Sequence, residues 1–164
     1  MEDYDTAAVA YATLMPGVAC VMRVGVYMID PSVKEWFQKA KKPSWAAPNT
    51  PPVRMLRMIP MVLAAHGAYH VWQLGGFDKE NTRYALIAYG AMYISSAVIG
   101  ADAALSKSWR KLFWASLLSS TLAATTTMLF FSVDQKCGLL MMPLAALANL
   151  TVLKVSEMNE LNAK

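Results

Sequence analysis

The chain has only two histidines, His66 and His70, and their spacing of four residues puts both imidazoles on one face of a helix. The same spacing supplies two ligands in some metal sites, but the glutamate or third ligand that would complete such a site is missing here. Two imidazoles on one helix also cannot clamp a haem iron from opposite sides. A polar helix contact or a donor into a pocket is what remains for them, and His66 is a candidate ligand contact. Tyr69 and Trp72, three residues apart, share a face of the same segment. They form either an aromatic belt at a membrane surface or, for Tyr69, a further contact to a bound molecule. Trp45 stands between Pro43 and Pro48, which stiffen its loop. It is either an interfacial anchor or a lid closing over an apolar ligand. Asn149 is the one amide in the last apolar stretch, available to tie helices together or to hydrogen-bond a ligand. Asp102 lies close to Lys107 and Arg110 and is expected to form an interfacial ion pair with them.

Covalent chemistry has little to work with. No nucleophile stands in a recognisable arrangement with a base, no glycine-rich phosphate loop occurs, and no Cys/His group has metal-ligand spacing. Cys20 and Cys137 fall at different depths, which argues against a disulfide. The expectation is a protein that is not an enzyme and uses no cofactor. Its twelve methionines provide adaptable apolar surface, for a pocket or as lipid-facing filler.

The elements that must position these residues are apolar. With 164 residues, 56% hydrophobic and 16% charged, the chain has room for one domain, residues 1–164, and is too apolar for an ordinary soluble one. Five windows are long enough to cross a hydrocarbon core of roughly 30 Å at about 1.5 Å per residue. They run near Ala7 to Ile29, Val53 to Leu74, Tyr84 to Leu105, Trp109 to Ser132 and Gly138 to Val155. A helix satisfies all of its own backbone hydrogen bonds, so the expected fold is all-α, an integral membrane bundle of five transmembrane helices.

Charge sets the expected orientation. Of the fifteen Lys and Arg, only Lys79, Arg83 and Lys136 fall on the side of the N-terminus and the second and fourth loops. The other twelve fall on the side of the first loop, third loop and C-terminus, so that side should face the cytosol. The acidic residues Glu2, Asp3 and Asp5 fit the opposite face, and they argue against a cleavable signal peptide. The basic pI near 9.1 then reads as membrane orientation, and nucleic acid is not an expected partner. Asn149-Leu150-Thr151 matches a glycosylation sequon but lies inside the fifth helix, where the match has no meaning.

The one long connection, about residues 30–52, has the length of a lid or binding element. Within it, Pro31 to Lys41 is expected to form a short amphipathic helix with Val33, Trp36 and Phe37 on one face, lying at headgroup level. Small residues crowd the long helices, among them Gly67, Ala68, Gly90, Ala123 and Ala145, and permit close approach in lipid. Pro16, Pro60 and Pro143 can kink their helices, so the bundle is expected to pack tightly at one end and leave a cavity at the other.

Several of these stretches together resemble the translocator protein family, also called tryptophan-rich sensory proteins or peripheral benzodiazepine receptors. The resemblance rests on Thr13-Leu14-Met15-Pro16, Lys42-Pro43-Ser44-Trp45 with Pro48, and Tyr69 with Val71-Trp72 and Leu74-Gly75-Gly76-Phe77. Ala123-Ala124-Thr125-Thr126 and Pro143 complete it in family order. The sequence departs from the family pattern at Pro52-Val53-Arg54, at Ser95-Ser96 and near Leu147, where the family has tryptophans, and no Tyr or Phe follows Phe131. The resemblance implies a membrane receptor or carrier that binds a hydrophobic small molecule inside the bundle, a tetrapyrrole such as protoporphyrin or a sterol such as cholesterol, for transport or sensing. By the same resemblance Pro43, Trp45 and Pro48 would cap the pocket, and Val24 and Tyr27 would line it. It further implies a homodimer surrounded by membrane lipid, in the mitochondrial outer membrane or, for a bacterial host, a bacterial membrane. The alternatives are a scaffolding membrane protein with a degenerate pocket and, least favoured, a porphyrin-degrading enzyme.

Overall fold

A computed structural model describes residues 5–46 and 50–163, leaving aside the side chains at 51, 52 and 54. Glu2, Asp3 and Lys164, which enter the charge bias, lie outside the described residues. The fold is all-helical: α1 (Thr6–Ile29), α2 (Ser32–Lys39), α3 (Pro51–Leu56), α4 (Ile59–Gly75), α5 (Glu80–Leu105), α6 (Trp109–Val133) and α7 (Gln135–Asn162). Side-chain oxygens satisfy several orphan amides at the helix starts. Asp5 accepts from the amides of Ala7 and Ala8, Asp134 from those of Lys136 and Cys137, and Ser108 from that of Lys111. At the end of α4, Gly76 takes a positive φ of 54°, a conformation that glycine adopts at little cost.

Four helices, α1, α5, α6 and α7, are long and apolar enough to cross a membrane. The second expected span, Val53 to Leu74, is not one helix. It breaks after Leu56 and resumes at Ile59 as the 17-residue α4, about 25 Å long. Pro60 explains the break. Its ring would collide with the carbonyl four residues earlier, that of Leu56, and it has no amide to donate there. The proline instead sits in the first turn of α4, where a missing N–H costs nothing. Pro16 and Pro143, by contrast, lie within the continuous helices α1 and α7.

The long helices close a ring in which α1 packs on α5, α5 on α6, α6 on α7, α7 on α4 and α4 back on α1. The main core occupies the half of this ring farthest from the first loop. There Ala68 and Val71 of α4, Leu86 and Tyr89 of α5, Phe130 of α6 and Met141 of α7 are buried together. A smaller cluster, Val26, Val33 and Ala104, lies at the loop end. Glycines mark the difference in packing between the two ends. A Cβ on Gly67 would lie 3.3 Å from the Cys137 carbonyl oxygen and 3.3 Å from Leu140 Cβ, so α4 and α7 are nearly in backbone contact. Gly25 and Gly100, towards the loop, have nothing within 4 Å of such an atom.

The two situations give opposite outcomes on substitution. Gly67→Val must push α4 and α7 apart and is expected to cost about 1–3 kcal/mol. Gly25→Ala adds a methyl in open space inside a helix and is expected to stabilise by up to about 1 kcal/mol. Thermal unfolding of the two variants in detergent, followed by circular dichroism, should move the midpoint down for the first and not down for the second.

Candidate functional site

The first loop is held at both of its ends. At its start Asp30 accepts hydrogen bonds from the backbone amide and hydroxyl of Ser32, and Lys107 reaches across from the α5–α6 turn to pair with Asp30 at 3.0 Å and donate to Ser32 Oγ at 2.6 Å. Lys107 adopts a left-handed φ of 47° in that turn. The expected ion pair of Asp102 with Lys107 and Arg110 does not form, because Lys107 is committed to Asp30; Asp102 pairs instead with Lys111 at 3.3 Å. The amphipathic helix then forms as α2, over Ser32–Lys39. Trp36 stacks on Trp109 with ring centroids 4.1 Å apart, Phe37 meets the same indole edge-on at 5.5 Å, and Val33 is fully buried.

The second half of the loop is fixed to the end of α7. Lys41 makes two hydrogen bonds to one side chain: its amide donates to Asn162 Oδ1 and its carbonyl accepts from Asn162 Nδ2, both at 3.0 Å. An amide side chain is the group that can pair with a backbone peptide in this way. Pro43 is buried, and its carbonyl accepts from the amide of Ala46 at 3.0 Å, closing a turn with Ser44 and Trp45 at its corners. The Trp45 indole, half exposed, donates from Nε1 to Glu157 Oε2 at 2.6 Å. One turn earlier on α7 lies the half-buried Lys154, on which the charges of Arg57 and Lys42 act.

The other candidates are distributed over the bundle. Val24 and Tyr27 share an exposed face of α1 near the loop end, while Val26 between them faces inward. Pro48 lies outside the described residues. Asn149 accepts from Ser120 Oγ at 2.9 Å and donates to the Ala145 carbonyl at 3.0 Å, linking α7 to α6. Tyr69, half-buried against the main core, accepts from Gln73 Nε2 at 2.7 Å. His66 and His70 face each other with Nε2 atoms 3.1 Å apart. They line a recess of about 570 Å³ between α4 and the start of α7, together with Asp134, Lys136 and Cys137. That recess lies at the end of the bundle away from Trp45, so the eight candidates do not converge on one site. Among the described residues no group of three or more His, Cys, Asp or Glu is placed to hold a metal.

A match to the TspO/MBR family runs from residue 12 to residue 156, most of the chain. The chain belongs to the TspO/MBR family. It is therefore a membrane protein of the translocator and sensory type, a family generally of binding and transport proteins. Comparisons with curated proteins and with solved structures return no match. In this TspO/MBR chain the matched segment contains the loop turn, Trp45 and Lys154, whereas Glu157 and Asn162, which hold the loop, follow its last residue. Sequence reasoning missed both of these residues and also Tyr93, whose buried hydroxyl has no hydrogen-bond partner among the described residues. The polar run Ser156-Glu157-Met158-Asn159 at the end of an otherwise apolar helix was the available signal for the first two.

Asp30 gives the loop a pH dependence. Its hydrogen bond from Ser32, and next its bond from Lys107, hold its carboxyl below the ordinary value of 3.8. A group depressed in the folded state contributes stability above its unfolded pKa and loses it as pH falls through the folded one. Docking of α2 should therefore be fully present above about pH 4 and weaken in more acidic solution. Limited proteolysis of the loop at graded pH measures this, and Asp30→Asn is expected to remove the acid-dependent step while making the loop more cleavable at neutral pH.

Proposed function

We propose that this TspO/MBR chain binds a hydrophobic small molecule of the tetrapyrrole or sterol class beneath its first loop, for transport or sensing, without covalent chemistry. The observation that carries the reading is the latch, Trp45 to Glu157 and Lys41 to Asn162, which holds a stiff, proline-bracketed loop over one end of the bundle. A pocket for such a ligand needs an apolar wall with a few placed polar groups. The exposed Val24 and Tyr27 and the turn at Pro43 and Trp45 would supply the wall, and Lys154 beside them a polar group. Lys42, Arg57 and Lys154 favour a tetrapyrrole, whose carboxylates they would pair with, over a sterol with its single hydroxyl.

The charge bias supports a cytosolic first loop and C-terminus. A homodimer is part of the same proposal, supported by the exposed groove along α1 at Ala10, Thr13 and Gly17, where small residues leave room for a second helix. The membrane in question is the mitochondrial outer membrane, or a bacterial one if the host is bacterial.

Titration of the purified chain in detergent with protoporphyrin and with a fluorescent sterol, followed by tryptophan quenching, tests the reading. Saturable quenching by protoporphyrin is expected, strongly weakened in Trp45→Ala and less so in Glu157→Ala. Lys154→Ala should weaken protoporphyrin and leave any sterol binding unchanged. Absence of saturation with either ligand would remove the pocket and leave the scaffolding role.

A further inference from the structure

The two histidines play no part in the loop site, and their geometry has a use of its own. Their Nε2 atoms are 3.1 Å apart, with ring centroids 4.5 Å apart and planes at 75°. A metal–imidazole bond is about 2.0–2.1 Å long, so two nitrogens at this separation subtend roughly 100° at a shared ion, between the tetrahedral and octahedral values. The turn of α4 places the two Cβ atoms about 5–6 Å apart, a separation from which the imidazoles reach this bite. We propose that His66 and His70 form a two-histidine chelate for a divalent transition-metal ion, with water completing its coordination.

The surroundings fit this chemistry. The recess of about 570 Å³ has room for several waters beside an ion. Asp134, on its rim, carries a negative charge, and one carboxylate oxygen is already fixed by capping α7, accepting from the amides of Lys136 at 2.8 Å and Cys137 at 3.4 Å. Lys136 partly offsets that charge, Cys137 is buried, and Gln73 and Tyr69 on α4 are hydrogen-bonded to each other. No carboxylate or thiol joins the two imidazoles among the described residues. That favours ions content with two nitrogens and exchangeable waters, which are Cu²⁺, Ni²⁺ and Zn²⁺ in preference to Mg²⁺ or Ca²⁺. Without metal, one imidazole donates its Nε2 proton to the other. Metal binding through both Nε2 atoms replaces that hydrogen bond and needs each ring in the tautomer that carries its proton on Nδ1.

The test uses the untagged full chain in detergent. Calorimetric titration with Zn²⁺ should give one ion per chain, and one equivalent of Cu²⁺ should give an electron paramagnetic resonance spectrum with coupling to two imidazole nitrogens. Outer-shell changes alone alter metal affinity by about 10- to 100-fold, so His66→Ala and His70→Ala should each weaken binding by at least about tenfold. The double variant should abolish it, with helical content unchanged by circular dichroism. His66→Asn, at an exposed position, provides the same reading should an alanine variant lose its fold. Retained binding in Cys20→Ser/Cys137→Ser supports the histidine site. Loss of binding in that variant alone, affinity unchanged in the double histidine variant, or a copper spectrum without nitrogen coupling would overturn it.

Discussion

The bundle depends on a reciprocal clasp between α1 and α5. Tyr11 of α1 donates its hydroxyl to the Leu86 carbonyl at 2.7 Å, and Tyr89 of α5, fully buried, donates back to the Ala12 carbonyl at 2.9 Å. In lipid the hydrophobic effect no longer pulls helices together, so such packing and hydrogen bonds must do it. A helical carbonyl keeps a second lone pair after its own i+4 bond, and the clasp uses it. Gly90 makes this possible, since a Cβ there would lie 2.7 Å from the Tyr11 hydroxyl. Around the same ring, Tyr11 packs against Trp72 and Phe77, and the Trp72 indole donates to Asp5 at 2.7 Å. The start of α1, the end of α4 and the start of α5 are thus tied at one end of the molecule.

Most of this architecture is legible in the sequence because it follows from composition and period. Apolar length gives the long helices, and the side-by-side placement of Val33, Trp36 and Phe37 gives α2. The division of the second span was harder to see, since hydropathy averages over Pro60 and cannot register a clash that depends on the carbonyl of Leu56. The tight end was foreshadowed by Gly67 and Gly90, but which glycines face a partner is decided by helix rotation. Gly25 looks the same in the sequence and faces open space.

The site was legible only in its local part. Proline bracketing marks the turn around Trp45, because proline acts on its immediate neighbours. The groups that hold the turn, Glu157 and Asn162, lie 112 and 121 residues away along the chain, and no local pattern pairs them. Reading His66, Tyr69 and Trp45 as one set fails on helix geometry: the histidines stand well along α4, beside the start of α7, whereas Trp45 sits over its end. At Ser95 and Ser96, where family members carry an amide and an aromatic, both hydroxyls bond back to their own helix, to the Ala91 and Met92 carbonyls. Those positions neither stack nor reach across the bundle.

Fewer aromatics change what recognition at the loop can rest on. The end of α7 has no ring to stack a planar ligand and instead presents Lys154, Ser156, Glu157, Asn159 and Asn162. Under the proposed function, recognition there would rest on charge and hydrogen bonding in place of stacking. The latch is built from the same groups. Glu157 holds Trp45, and Lys154 stands three residues earlier on a neighbouring position of the helix face. Opening the loop breaks this bond, and a hydrogen bond to a charged group is worth about 1.5–3 kcal/mol net. A closure of that size leaves an open population of about 0.1–10%, while the two Asn162 bonds and the stacked Trp36 keep the loop near its closed position. Under the proposed function such a lid would open without unfolding its frame, and the closing contact and a ligand's charge would draw on the same small set of residues.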